Sequence, residues 1–280
     1  MVDVKNISFK YAGQKELVFD DFSLRLEQNR IYGLLGKNGT GKSTLLYLIS
    51  GLLRPKAGSV SFDSVATCKR TPGVLSEMFL VPEEFDLPAM SLSQYVSINE
   101  PFYPRFSREV LESCLKDFEL STDLKLNSLS MGQKKKVFMA FALATNTRLL
   151  LMDEPTNGLD IPSKAQFRSA IMSHTAEDST IVISTHQVRD LENIIDPVII
   201  LDKQDVLLNA SMEEISEKLF FDYGTTLMDG ALFREQLPGG FLQVYPNYDG
   251  QESKVNVEAL FNAVHTHKEL IKGLFTQKEA

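Results

Sequence analysis

Over 280 residues the chain sets 29 Lys and Arg against 37 Asp and Glu, and a net charge of −8 excludes a surface that attracts nucleic acid as a whole. Its 43% hydrophobic content suits one globular core with a smaller appendage. The longest apolar run, residues 137–144, falls well short of the roughly 20 residues that a bilayer-crossing helix needs. Residues 1–4, Met-Val-Asp-Val, carry an acid where a secretory leader carries positive charge, so no leader is expected. Cys68 and Cys114 fit no metal or redox spacing and read as free thiols of a reducing compartment.

Residues 2–9 and 22–26 alternate apolar with polar side chains, the period of half-buried strands. Between them lies Lys10-Tyr11-Ala12-Gly13, whose Tyr11 reads as an aromatic on a sheet edge or as a surface for a nucleotide base. Residues 30–35 read as a buried strand and 42–53 as a helix with Leu45, Leu46, Leu48 and Ile49 on its apolar face. The joining stretch, Gly36-Lys37-Asn38-Gly39-Thr40-Gly41-Lys42-Ser43, meets G-x-x-x-x-G-K-[ST] at every fixed position. Its glycines let the backbone turn N–H groups onto an anion, Lys42 adds charge for the outer phosphates, and Ser43 offers a hydroxyl to Mg²⁺. The helix that follows points its positive end at the phosphates.

A turn at 54–58 leads to a strand at 59–62 and a less regular one at 74–81, which Pro82-Glu83-Glu84-Phe85-Asp86-Leu87-Pro88 ends. Residues 91–126 turn helical. Ser107 caps a helix in which Val110, Leu111, Cys114, Leu115 and Phe118 recur at helical spacing, an inserted helical subdomain. Ser128-Leu129-Ser130-Met131-Gly132-Gln133 precedes a helix at 134–145, and Lys134-Lys135-Lys136 within it reads as a solvated turn or a seat for an acidic partner. Residues 148–154 form an apolar run ending in Asp153 and Glu154, as a buried parallel strand delivers carboxylates to the ligand-binding edge of a sheet. A turn at 155–160, a helix to about 174, a strand at 180–186 ending in His186 and another at 197–202 continue a parallel pattern. Composition shifts after about residue 209, where a helix at 211–221, a hairpin around Pro238-Gly239-Gly240 and a helix at 257–274 are expected.

A phosphate loop gives the strand-end acids work. Mg²⁺ on Ser43 needs a second anchor, which Asp153 supplies, and Glu154 then faces the attacking water as general base or orienter. His186, at the next strand end, borders the same phosphate.

Residues 2–209 resemble the ATP-binding-cassette (ABC) ATPases in continuous order. The resemblance implies that Tyr11 stacks on the base and that Gly36 to Thr44 hold the phosphates of ATP. It makes Leu129-Ser130-Met131-Gly132-Gln133 the signature usually written LSGGQ, with Ser130, Gly132 and Gln133 on nucleotide. It gives catalysis to Lys42, Glu154 and His186, Mg²⁺ to Ser43, Asp153 and Glu83, and the dimer seam to the loop ending in Asp160. The implied fold is an α/β phosphate-loop NTPase of ABC type. It has a mixed, mainly parallel sheet, an antiparallel β subdomain, a helical subdomain at about 86–145 within 1–209, and a small α+β appendage at 210–280. Two departures stand out: Met131 for glycine in the signature, and Glu83, or its neighbour Glu84, for the usual glutamine.

The function implied is an ATP-hydrolysing subunit that pairs with a second ABC ATPase subunit, identical or similar, and powers a separate integral membrane permease. It would lie peripherally on the cytoplasmic face of the membrane, with no nucleic-acid partner. Phe102-Tyr103-Pro104-Arg105-Phe106 and residues 256–264 resemble the YtrB-like branch that pairs with ABC-2-type permeases. The alternative is a soluble ABC ATPase acting in assembly or regulation without a permease. A non-enzymatic sensor fits poorly with Lys42, Asp153, Glu154 and His186 together.

Overall fold

In the computed structural model, residues 1–227 and 229–276 are described; residues 277–280 of the expected appendage at 210–280 lie outside the described residues. The alternating N-terminal segments pair as an antiparallel sheet. β1 (Val2–Phe9) lies beside β2 (Phe19–Leu26), and after β3 (Ile31–Gly36) and α1 (Lys42–Ile49) the chain returns as β4 (Ala57–Phe62) and β5 (Val65–Ala66), in the order β2-β1-β4-β5. α1 ends earlier than its apolar period predicts. Gly51 turns the chain at φ 72°, where a Cβ would lie 2.3 Å from the Thr67 carbonyl oxygen.

The strand expected at 74–81 is instead a helical turn, α2 (Pro72–Leu75), followed by β6 (Met78–Val81). Pro72 at the first helical position starts the turn, because its fixed φ suits a helix and its missing N–H costs nothing there. α3 (Leu92–Asn99) and α4 (Arg108–Asp117) form the helical insert, capped by Ser91 and, as expected, Ser107. α5 (Met131–Ala144) begins at Met131, not Lys134, because the Ser130 hydroxyl accepts from the Gln133 N–H while the Gln133 side chain accepts from the Ser130 N–H.

β7 (Leu149–Asp153), α6 (Ile161–His174), β8 (Thr180–Thr185), β9 (Val198–Asp202) and β10 (Asp205–Ala210) complete a second sheet in the order β10-β9-β3-β8-β7-β6, parallel except for β10. Both faces of its parallel strands are buried, so β7 and β9 are apolar without alternation up to their closing aspartates. Leu149, Leu151, Val182 and Ile199 pack with Leu45, Leu46, Leu48 and Ile49 of α1 and with the first sheet. Leu150, Met152, Ile181 and Ile183 belong to the opposite cluster, with Val137, Phe141, Phe167 and Ile171 of α5 and α6. α1 is therefore sandwiched, and the phosphate-loop stretch is fixed at its N-terminal end.

The appendage departs from expectation at two places. The helix predicted at 211–221 stops early as α7 (Met212–Lys218), and Leu219 to Gly224 become β11, paired along their length with β13 (Gly240–Pro246). β12 (Phe233–Leu237) forms the expected hairpin with β13. The last helix is broken at His267 into α8 (Val257–Thr266) and α9 (Lys268–Thr276). Lys268 pairs with Asp202 and Lys272 with Asp205, tying α9 to the β9–β10 hairpin, and Arg189 pairs with Glu258 of α8.

Candidate functional site

The phosphate-loop stretch wraps the N-terminus of α1, whose first N–H groups take no side-chain cap and remain available to an anion. Gly41 adopts φ 98°, and a Cβ there would meet the Phe19 ring at 2.8 Å, so only glycine gives both the turn and the clearance. The buried Lys42 amine donates to the Gly36 carbonyl at 2.8 Å and the Lys37 carbonyl at 3.4 Å and lies 3.5 Å from Glu154 Oε1. The Thr40 hydroxyl holds the Lys37 carbonyl at 2.9 Å. The cavity above the loop, about 390 Å³, is lined by Tyr11, Asn38, Gly39, Gly41, Lys42, Ser43, Thr44, Glu83 and Glu154. The Tyr11 ring packs edge-on to Phe9 at 5.0 Å, its hydroxyl lies 3.0 Å from Thr44 Oγ1, and the residue borders the cavity.

The two strand-end carboxylates differ in setting. Asp153 is 1% exposed. Burial pushes its carboxyl above the ordinary carboxylate range, while hydrogen bonds from Ser184 and Ser43 pull the other way. Glu154 lies just beyond the strand at φ 45°, a left-handed conformation that costs a non-glycine residue about 1–2 kcal/mol. Its N–H donates to the Ser184 carbonyl and to Ser184 Oγ, both at 3.1 Å. Its side chain meets His186 Nδ1 at 2.9 Å, and the His186 N–H donates to it at 3.3 Å. His186 reaches the cavity through Glu154 and itself borders a neighbouring space beside α8. Glu83, not Glu84, faces the cavity, and its Oε1 accepts from Asn157 Nδ2 at 2.9 Å.

Other expected residues lie apart. Ser130 and Gln133 are exposed at the N-terminus of α5, Gly132 lies beside Leu159, and Asp160 caps α6 by accepting from the Ser163 N–H at 2.9 Å. None of Ser130, Gly132, Gln133 and Asp160 lines the phosphate-loop cavity. The arrangement can hold a polyphosphate on one side and presents a second helix N-terminus outward.

Sequence reasoning missed Ser184, Asn157 and Lys135. Ser184 was signalled by a hydroxyl within the apolar run 180–185, opposite Asp153 in the strand register. The basic run does not form the solvated turn that its charge predicts. Lys135 is buried, its amine donating to the Asn157 carbonyl at 2.7 Å, and Lys136 donates to Gln166 Oε1 at 2.8 Å. Burial holds the Lys135 ammonium below the ordinary lysine range, with Glu83 and Glu154 opposing.

A sequence-family model described as ABC transporter matches residues 19–157. The chain is 28% identical over 220 residues to the ABC transporter ATP-binding protein YtrB of Bacillus subtilis (strain 168), covering 78% of this chain and 74% of that one. It is 30% identical over 226 residues to the cobalt import ATP-binding protein CbiO of Salmonella paratyphi A, covering 77% and 82%. Among solved structures it is similar to the dimeric post-hydrolysis state of the ATP-binding cassette MJ0796 bound to ADP and Pi, with a TM-score of 0.65, 26% identity, and coverage of 75% and 98%.

Proposed function

This chain belongs to the ABC transporter family of ATP-binding proteins, and from that premise we propose how its residues divide the work of hydrolysing ATP and driving a permease. It is an ATP-binding, ATP-hydrolysing transporter subunit. Residues 1–209 form the ATPase domain, with the helical subdomain at about 86–145, and 210–280 an accessory domain. Tyr11 stacks on the base. The N–H groups from Gly36 to Thr44 take the phosphates, and Lys42 leaves the Gly36 and Lys37 carbonyls for the outer ones. Glu154 orients the attacking water, and His186 steadies Glu154 beside the γ-phosphate.

Mg²⁺ fits this donor set. Ser43 bonds the buried, desolvated Asp153, and Glu83 faces the same cavity, whereas no group of three or more His, Cys, Asp or Glu that could hold a metal occurs among the described residues. Such a site suits an ion that keeps water and phosphate oxygens among its ligands. Held by Ser43, Asp153 and Glu83, Mg²⁺ would neutralise charge on the phosphates.

The observation that carries the mechanism is the separation of two anion-seeking helix ends. α1 faces its own cavity, and α5, opened by Ser130, faces away from it. We infer that a second subunit supplies Ser130, Gly132 and Gln133 to the γ-phosphate, with the loop through Asp160 along the seam, so ATP closes the pair and hydrolysis releases it.

The permease seat is read in an apolar groove of about 730 Å³ that includes Leu52, Pro72, Leu75, Phe102 and Tyr103, with Leu52 55% and Phe102 66% exposed. Its Phe102 and Tyr103 belong to the stretch that resembles the branch serving ABC-2-type permeases. No helix among the described residues is long and apolar enough to cross a membrane. We infer that the subunit lies peripherally on the cytoplasmic face, held there by its permease.

Ser130→Arg tests the split. Binding of ATP to the isolated chain is expected unchanged, with turnover lost by about 100-fold or more, since a bulky cation replaces the small cap beside the γ-phosphate. Normal hydrolysis by Ser130→Arg would contradict the shared site.

A further inference from the structure

The basic run Lys134-Lys135-Lys136 fastens one helix to three others parts of the fold. Lys134 reaches Asp86 after β6 at 3.6 Å, Lys135 the turn after β7, and Lys136 the side of α6. Lys135 is the unusual member. It is 8% exposed, its amine donates to one backbone carbonyl, and no carboxylate lies within 4 Å of it among the described residues. Burying a charge with no carboxylate in contact costs stability, a cost that Glu83 and Glu154 offset only in part. Stability is thus a poor reason for a lysine at this position.

The carbonyl that Lys135 holds belongs to the turn carrying Glu154. The Asn157 N–H donates to the Glu154 carbonyl at 3.1 Å, Glu154 has the left-handed φ of 45°, and the Asn157 side chain continues to Glu83 at 2.9 Å. A non-glycine residue keeps such a backbone only where its surroundings over-determine it. On one side Ser184 takes the Glu154 N–H; on the other, the turn is closed by Asn157, whose carbonyl is pinned by Lys135.

We propose that Lys135 is a positioning residue for ATP hydrolysis: from the helix that Ser130 begins, it pins the Asn157 carbonyl and so fixes the turn that aims Glu154. The proposal rests on the reading of Glu154 as the residue that orients water. It also joins the two ends of the shared site within one subunit, because α5 and the Glu154 turn then move as one body.

The test is a set of variants of the full chain, read by thermal melting and by kcat and KM for ATP. Lys135→Met is expected to melt close to the parent temperature, the removed buried charge offsetting the Asn157 carbonyl left without its donor, with KM for ATP within about twofold and kcat about tenfold lower, as a misaimed catalytic group gives. Lys135→Arg, which keeps the donor, is expected to recover kcat to within about threefold. In a Glu154→Gln background, Lys135→Met is expected to cost no further turnover, because both changes act on one group. Parent kcat in a folded Lys135→Met variant overturns the proposal, and so does a tenfold loss that persists in full on top of Glu154→Gln. Should Lys135→Met not fold, Lys135→Gln, which keeps an N–H donor, is read in its place: kcat within about threefold supports the fastening and a full tenfold loss overturns it. Full turnover by Glu154→Gln alone overturns the role of Glu154 itself, a failure distinct from the additive result.

Discussion

Asp153 is the residue whose burial is hardest to explain by stability. Its carboxylate is removed from water and pushed toward the neutral form, with two serine hydroxyls as partial compensation. An amide of the same shape keeps both hydrogen bonds without the desolvated charge. Asp153→Asn is therefore expected to raise the melting temperature of the nucleotide-free chain by about 2–4 °C, the shift about 1 kcal/mol gives at this size, while abolishing turnover with Mg²⁺ and ATP. A lower melting temperature would show that the ionised carboxylate stabilises the fold. Much of the candidate site was legible at this scale because phosphate chemistry dictates residue types at fixed spacing: Lys42 and Ser43 could be named from the phosphate-loop spacing, and Asp153 and Glu154 from the end of an apolar run. Asn157 could not, and Ser184 showed only as a hydroxyl in an apolar run. Each acts through a partner far along the chain, 31 residues away for Ser184 and Asp153 and 74 for Asn157 and Glu83.

Among the elements, α5 joins the site to the helical insert. Its Phe141 is 1% exposed and sits amid the rings of Phe79, Tyr95, Tyr103 and Phe106 at centroid distances of 5.1 to 6.3 Å. Arg105 adds a paired contact to Asp178, and His174 meets Asp117 at 2.7 Å. Phe141→Ala empties the centre of this ring cluster and is expected to cost about 3–5 kcal/mol in denaturant unfolding. A loss under about 1 kcal/mol would mean that the insert is held elsewhere. Elements with a clear period, a cap or an unbroken apolar run, such as β1, α4 and β7, were readable from sequence. Two others were misread because the deciding contact is not local. Residues 219–221 continue the apolar content of α7, yet pairing with β13 draws them into a strand. The lysines of α5 look solvated by charge, and only the approach of the Glu154 turn shows that Lys135 is enclosed.

At the scale of the whole molecule, the chain sets the phosphate-loop cavity at the start of α1 and an exposed helix start at α5, and Ser130, Gly132 and Gln133 do not line that cavity. The accessory residues are clasped to the ATPase sheet by Lys268–Asp202 and Lys272–Asp205 and to the segment after His186 by Arg189–Glu258. Their attachment was visible in the sequence only as a change in composition, since ion pairs between distant segments leave no local pattern. A shared site requires nucleotide to join two subunits, and light scattering of the Glu154→Gln variant reads this directly. With ATP and Mg²⁺ the variant is predicted to double in mass to a dimer, to return to monomer when ATP is removed, and to fail to dimerise when Ser130→Arg is added. A mass that stays monomeric with ATP bound, or a dimer indifferent to Ser130→Arg, would contradict the shared site.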